Sequence, residues 1–206
     1  MKKGQIVAVA AACFVAATAA QAQIGLDVAL SGAGVFSKST SSSTSNVSNS
    51  PTNSVAVLGS IGYHFNERHA VELNLGHTNN SQIFTVLPDT YRVKTGIFEY
   101  TVAYVFSPMT KGRWTPFLLA GGGGLAFSVD SVDIDTIPIQ LAKIRQDRPA
   151  LLYGGGTDYR IAGHLSLRLQ YRGLIFRAPD FTLPSLFYTG ARGHMAEPAF
   201  GMVAKF

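Results

Sequence analysis

The sequence predicts an all-β fold, an eight-stranded antiparallel transmembrane β-barrel preceded by a cleavable signal peptide. Apolar and polar residues alternate in eight segments, as they do where successive side chains face lipid and the barrel interior. After residue 22, no stretch approaches about 18 consecutive apolar residues, so a helical membrane span is not expected. The chain ends on an alternating strand, residues 200–206, whose last residue is an aromatic suited to a membrane interface.

The first 22 residues have the features of a secretory signal peptide. Lys2 and Lys3 provide a positive start, and an almost unbroken run of apolar or small residues follows from residue 6 to residue 20. The triplet Ala20-Gln21-Ala22 then fits the small-x-small cleavage pattern. We therefore expect residues 1–22 to be the signal peptide and residues 23–206 to form one barrel domain.

Cysteine content and charge exclude several classes of protein. Cys13 is the only cysteine and lies inside the signal, so no disulfide is expected in the mature chain. Lipoprotein cleavage before Cys13 is disfavoured because the apolar stretch upstream is short. Removing Lys2 and Lys3 lowers the formal charge from +5 to +3, a mild basicity that suits anionic lipopolysaccharide. No dense Lys/Arg patch indicates nucleic-acid binding.

Four strands are predicted in the first half of the mature chain. Each alternates an outward set of mainly apolar residues with an inward set of small or polar residues. In the second strand, for example, Val57 and Ile61 are assigned to the outside, and Ser60 and His64 to the inside. The four predicted strands span residues 26–36, 55–65, 70–78 and 91–106.

Four further strands are predicted at residues 115–127, 150–161, 165–174 and 196–206. The fifth strand of the barrel contains the run Gly121 to Gly124. A phosphate-binding loop would need a lysine and a following helix, and neither is present. We therefore expect these glycines to let the strand bend beside bulky neighbours.

The connections between the predicted strands alternate strictly between short and long. The short ones are residues 66–69, 107–113 and 162–164, and the long ones are residues 38–54, 79–89, 129–148 and 176–195. This is the pattern of periplasmic turns and extracellular loops, and it predicts that both barrel termini are periplasmic. The first long connection is rich in serine and is expected to be mobile, either as an adhesive surface or as a solvated spacer.

The chain resembles the small OmpA/OmpX-like outer-membrane β-barrel proteins. The resemblance covers essentially all of residues 23–206. Its more specific elements are Gly62-Tyr63-His64-Phe65-Asn66, Trp114-Thr115-Pro116-Phe117, Asp158-Tyr159-Arg160 and the terminal strand. In that strand Gly201, Ala204 and Phe206 resemble the signal that the barrel-assembly machinery recognises, although Ala199 and the small Ala204 depart from the usual pattern. The resemblance implies a bacterial outer-membrane location.

Charged residues on the predicted inward faces form the main candidate site. Five are acidic and four are basic: Asp27, Glu72, Glu99, Asp158, Glu197, Arg160, Arg168, Arg172 and Lys205. Charges in a narrow lumen must pair or meet water, because an isolated buried ion is costly. An eight-stranded barrel is roughly filled by its own side chains, so a wide pore is not expected. The network is therefore expected to be either a structural plug or the gate of a narrow ion path.

Other candidate sites are weaker. His164-Leu165-Ser166 resembles the His-x-Ser pair of lipid A deacylases but lies on a turn predicted to be periplasmic. Asp130, Asp133 and Asp135 alternate with apolar residues, which is typical of a strand and not of a calcium loop. An apolar group in the last long connection is expected to cap the barrel mouth or contact a hydrophobic ligand: Phe181, Leu183, Leu186, Phe187 and Tyr188.

These features predict a structural or interaction protein without a catalytic site, cofactor or metal. Its expected partners are outer-membrane lipid and lipopolysaccharide, the barrel-assembly machinery, and an extracellular ligand of the long loops. Two alternatives remain open: a narrow pore or small-solute transporter, and a lipid A acyl hydrolase.

Overall fold

The computed structural model describes residues 25–41, 47–86, 89–134, 137–139, 144–179, 181 and 191–206. In this part of the chain, eleven strands form one antiparallel sheet. The strands are β1 (Leu26–Ser37), β2 (Thr40–Ser41), β3 (Val47–Pro51), β4 (Ser54–Asn66), β5 (His69–Val86), β6 (Asp89–Phe106), β7 (Trp114–Ile134), β8 (Ile137–Ile139), β9 (Arg145–Ala162), β10 (Leu165–Arg177) and β11 (Arg192–Lys205). Within the described residues there is no helix that could cross a membrane.

Eight long strands close into a barrel, which confirms the predicted fold class. Their order around the wall is β1, β4, β5, β6, β7, β9, β10 and β11, and β11 pairs back to β1. The closing pair runs from Asp27 opposite Lys205 to Ser37 opposite Met195. Closure leaves neither of these strands as an open edge, so the backbone hydrogen bonds of the wall are satisfied within the sheet.

The two ends of the barrel differ. At one end, which we call the turn end, lie the start of β1, the end of β11 and the short turns at residues 67–68, 107–113 and 163–164. At the other end, the loop end, lie the longer connections. The predicted alternation of short and long connections holds for three of the four loop-end connections, whereas only two residues separate the end of β5 at Val86 from the start of β6 at Asp89.

The predicted alternation of faces is also confirmed. Predicted outward residues such as Val55 (80% exposed), Val57 and Tyr63 form an apolar outer surface, whereas inward residues such as Ser60 and Val203 are buried. The packed interior of the barrel replaces the core of a soluble domain, and its apolar part gathers toward the loop end. The side chains therefore divide between an outside suited to lipid and a filled inside.

Several strands are longer than predicted. β5 and β6 pair without a break from His69 opposite Phe106 to Val86 opposite Asp89, so the expectation of a loop at residues 79–89 is wrong. β7 and β9 likewise extend into the connection predicted at residues 129–148. In β5 the extension keeps the alternation, but its outward residues Asn79 and Ser81 are polar, so it lacks the apolar outer face on which the prediction depended.

The glycine run of β7 allows close approach between strands. A Cβ atom at Gly121 would lie 2.6 Å from Cα of Ala103 on β6, and one at Gly123 would meet Thr101 at the same distance. Phe117 and Phe127, at the two ends of the run, point inward and are buried. Glycine at these positions thus brings the main chains of β6 and β7 together beside bulky interior side chains.

Candidate functional site

The first layer of charge in the lumen is centred on Arg168 of β10. Its guanidinium donates two hydrogen bonds to Asp158 of the neighbouring β9, Nε to Oδ1 at 2.8 Å and Nη2 to Oδ2 at 3.2 Å. Nη1 reaches across the barrel to Oε2 of Glu72 on β5 at 2.7 Å. The same guanidinium lies 4.8 Å from the ring centre of Phe117. One arginine thus ties three strands together through bonds that water barely reaches.

A second layer of charge is centred on Arg172, two inward-facing positions beyond Arg168 on β10. Arg172 forms ion pairs with Glu99 of β6 and with Glu197 of β11, the latter at 3.8 Å. Oγ1 of Thr101 donates a hydrogen bond to Oε1 of Glu99 at 2.8 Å. All three charged side chains are at most 5% exposed. Two carboxylates therefore share one guanidinium in the middle of the barrel.

The turn end of the lumen is an open cavity of about 630 Å³. Asp27 and His64 meet on its wall, with Oδ2 and Nε2 2.7 Å apart, and Nζ of Lys205 lies 3.2 Å from Oδ2 of Asp158. Arg160 lines the same cavity but is exposed. This end of the lumen is polar and wide enough for water.

The loop end of the lumen is filled mainly by large apolar side chains, together with several buried amide side chains. Phe84, Phe127 and Leu125 are fully buried there, and Phe127 packs against Phe176 with ring centres 5.6 Å apart. Phe181, from the last connection, lies edge-on to Phe84 with ring centres 6.1 Å apart. From the turn end, the described interior thus passes from an open polar cavity through two charged layers to a largely apolar plug.

Phe181 is held in an unusual backbone conformation. Its φ of 49° lies in the left-handed region, which is uncommon for a bulky residue. Its backbone N–H donates to Oε1 of Gln146 at 3.0 Å, and its ring is 1% exposed. Of the predicted capping residues, Phe181 alone is described, and it enters the plug; Leu183, Leu186, Phe187 and Tyr188 lie outside the described residues.

All nine charged residues predicted to face inward lie on the lumen side of the wall. Seven of them contact an oppositely charged side chain and Asp27 contacts His64, whereas Arg160 lies at the turn-end opening without a charged partner among the described residues. The sequence placed His64 on an inward face but did not identify it as the partner of Asp27. The signal in the sequence for this contact was that His64 lies two residues after the inward Gly62 and therefore on the same face.

The structure does not bring the His164 and Ser166 side chains together. Nδ1 of His164 lies 3.0 Å from the main-chain oxygen of Lys205, and the ring is exposed at the turn end. Ser166 is buried inside the barrel and makes no hydrogen bond to His164. A serine nucleophile needs its base within hydrogen-bond reach, and this arrangement does not provide one.

The remaining predicted positions are placed as follows. Asp130 is exposed on β7, whereas the side chain of Asp133 and the whole of Asp135 lie outside the described part of the chain. Among the described residues, no three His, Cys, Asp or Glu side chains are grouped as a metal site. Of the serine-rich stretch, only residues 42–46 lie outside it; the expectation of a loop is wrong for β2 and β3, because they pair with each other and β3 pairs with β5.

The terminal strand that carries the predicted assembly signal closes the barrel against β1. A Cβ atom at Gly201 would lie 2.6 Å from Cα of Ser31, so the glycine permits close approach. The backbone N–H of Phe206 donates to the carbonyl oxygen of Leu26 at 2.8 Å, and Ala204 pairs with Val28. The signal residues therefore lie on the seam of the barrel at its turn end.

A protein-family model matches most of the sequence. The family is described as "Outer membrane protein beta-barrel domain", and the match covers residues 6–186. None of the curated proteins matches the sequence.

Solved structures share this fold at low sequence identity. Neisserial surface protein A is 15% identical with a TM-score of 0.56, covering 88% of this chain and 97% of that one. Outer membrane protein OprG from Pseudomonas aeruginosa is 14% identical with a TM-score of 0.58, covering 88% and 96%. Ail, the attachment invasion locus protein of Yersinia pestis, was solved with the heparin analogue sucrose octasulfate; it is 14% identical with a TM-score of 0.50, covering 88% and 99%. At these identities, the likeness shows the fold alone.

Proposed function

The chain belongs to the outer membrane protein β-barrel domain family, and from that premise we propose that it is a closed structural barrel of the bacterial outer membrane that presents its loops to the exterior. The observation that carries this proposal is the filled lumen. Arg168 and Arg172 are paired with carboxylates from both sides of the barrel, and the apolar plug follows them. A barrel with its lumen filled in this way suits a role in stabilising the envelope and not the passage of solutes through it.

The turn end faces the periplasm in this proposal. Short turns and both barrel termini belong on the periplasmic side of such barrels, and longer connections on the outside. Exposed charge is mainly cationic at both ends, so the orientation rests on the turns and the termini. At the loop end, the exposed charged side chains among the described residues are six cations and two acids: Lys38, Arg92, Lys94, Arg145, Arg177, Arg192, Asp130 and Asp147. A cationic rim suits the anionic lipopolysaccharide of the outer leaflet, and it favours an anionic ligand for the loops if one binds there.

The closing strand β11, with the terminal residue that follows it, also carries the residues proposed to direct insertion of the barrel into the membrane. We infer that Gly201, Ala204 and Phe206 are read by the barrel-assembly machinery before β11 pairs with β1. The proposal includes no catalytic step and no cofactor.

Planar-bilayer recording of refolded residues 23–206 tests the proposal. We expect no discrete conductance steps, because ions would have to cross the charged layers and then an apolar plug. Arg172→Gln disturbs the second layer, and the exposed Arg113→Gln at the turn end is its matched control. Discrete steps in the unmodified protein that change with Arg172→Gln but not with Arg113→Gln would instead favour the narrow-pore alternative.

A further inference from the structure

A groove of about 270 Å³ runs along the outer wall at the loop end, across β9 and β10 toward β11. Its outward-facing lining consists of Pro149, Leu151, Ile175, Arg177 and Arg192. The groove lies on the lipid-facing side of the wall and is separate from the lumen described above. It is not explained by the closure of the barrel.

The upper part of the groove carries two like charges that face each other. Arg177 of β10 is directly opposite Arg192 of β11, and both side chains are exposed. Like charges at directly opposed positions of an antiparallel pair repel each other. No acidic side chain among the described residues pairs with either arginine. A bound anion between the two guanidinium groups would turn this repulsion into attraction.

The lower part of the groove is apolar. Ile175 pairs with Leu151 on one side and with His194 on the other. Further from the loop end, the ring of Tyr153 covers Gly173, and its hydroxyl lies 2.8 Å from Nε2 of His194. The wall therefore changes from cationic to apolar within one pair of outward residues.

This change falls at the expected edge of the bilayer. From Leu165 to Ile175 the outward residues of β10 are apolar or glycine, and these ten steps span about 33 Å along the strand. With the usual tilt of about 40°, that length covers about 25 Å of membrane, the height of the apolar band on such barrels. Arg177 is the next outward residue and so lies at the level of lipid headgroups.

We propose that this groove binds lipid A, with a phosphate between Arg177 and Arg192 and an acyl chain along Leu151 and Ile175. Arginine suits a phosphate because its planar guanidinium can donate two parallel hydrogen bonds. A phosphate monoester carries up to two negative charges, which matches the two cations of the groove. The inference rests on the proposed function, which places the loop end in the outer leaflet where lipid A lies.

Native mass spectrometry of refolded residues 23–206 in detergent, titrated with bisphosphorylated lipid A, tests the proposal. We expect one lipid A to bind, and the variant Arg177→Gln/Arg192→Gln to bind it about tenfold more weakly or worse, as the loss of charged hydrogen bonds predicts. The matched control Arg68→Gln/Arg113→Gln removes the same charge at the turn end, far from the groove, and should bind like the unmodified protein. Arg177→Lys/Arg192→Lys should retain part of the affinity.

The probe itself distinguishes the sources of the anion. Dephosphorylated lipid A and phosphatidylglycerol should both bind the unmodified protein about as weakly as bisphosphorylated lipid A binds the double glutamine variant. The proposal would be overturned if either probe bound the unmodified protein as tightly as bisphosphorylated lipid A does. It would also be overturned if Arg177→Gln/Arg192→Gln bound bisphosphorylated lipid A with unchanged affinity. A gel shift between unboiled and boiled samples checks that each variant is folded, and the lysine variant supplies the test if the glutamine variant is not.

The outcome can be separated from that of the proposed function. Conductance by the unmodified protein would contradict the closed barrel without altering lipid A affinity. Loss of lipid A binding in an unmodified, non-conducting barrel would contradict this inference alone.

Discussion

Arg172 shows how a single buried residue supports the barrel. Its side chain is 1% exposed and stands between Glu99 and Glu197. The burial of such an ion pair is costly, so the pair adds little net stability by itself, but the removal of one partner leaves the other charges without compensation. The main contribution of Arg172 to stability is therefore to compensate the charges of the buried glutamates, and the net gain from the ion pairs themselves is small.

Arg172→Met is predicted to lower the free energy of unfolding by about 3–5 kcal/mol, because both glutamates then lack a buried cation. Urea unfolding of the refolded protein in lipid vesicles measures this. Arg113→Met at the exposed turn end is the control and should change stability by no more than about 0.5 kcal/mol. The triple variant Arg172→Met/Glu99→Gln/Glu197→Gln should recover much of the loss. Equal stability of the two single variants would contradict the role given to the second layer.

Sequence reasoning predicted which charges face inward but not which of them meet. The side of the strand follows directly from alternation, so Arg168 and Glu72 could be assigned to the lumen. Their contact joins residues 96 positions apart on opposite walls. Such a pairing depends on the radius and stagger of the closed barrel, which no local pattern encodes. The contact of His64 with Asp27 was missed for a different reason, because it depends on the register of β4 against β1, in which Asp27 lies opposite Gly62.

At the scale of elements, strand positions were predicted well within the membrane band and poorly beyond it. The turn-end bounds of all eight long strands agree with the structure to within one residue, since apolar alternation is strong there. β5 continues eight residues past its predicted end at residue 78, and β6 begins two residues before its predicted start at residue 91. Outside the bilayer the outer face no longer needs apolar residues, so the signal that identifies a strand fades while the hydrogen-bonded pairing continues.

Gly121→Ala is predicted to destabilise the pairing of β6 with β7. The added Cβ would lie 2.6 Å from Cα of Ala103 and closer still to the carbonyl oxygen of Val102, so the main chains must separate. Overpacking of this kind costs about 1–3 kcal/mol. Urea unfolding measures the loss, and Gly59→Ala on β4, with open space within 4 Å, is the matched control. If the two alanine variants are equally stable, the glycine run does not serve close approach.

At the scale of the whole molecule, the two ends of the lumen are built differently. The turn end is a polar cavity, whereas the loop end is sealed by phenylalanine and aliphatic side chains. In the proposed orientation the sealed end faces the exterior. Water would therefore enter the turn-end cavity from the periplasm but would not cross the lumen to the outside. The sequence predicted a filled lumen from the strand number, but it did not predict that the polar and apolar parts separate along the axis.

The proposed orientation predicts opposite accessibility of the two ends on intact cells. An epitope inserted within residues 42–46, between β2 and β3, should bind antibody without permeabilisation of the outer membrane. The same epitope inserted after Lys111, in a turn-end connection, should bind only after permeabilisation. The reverse pattern would show that the termini lie outside and would contradict the assignment of the loop end to the exterior.

The central claim is that this chain forms a hydrogen-bonded cylinder, closed through β1 and β11 and filled by its own side chains. Gel migration of refolded residues 23–206, with and without boiling, tests it most directly. The unboiled protein should migrate differently from the boiled protein, because a closed wall with internally satisfied backbone groups resists detergent. Identical migration of both samples after refolding into lipid would contradict the account.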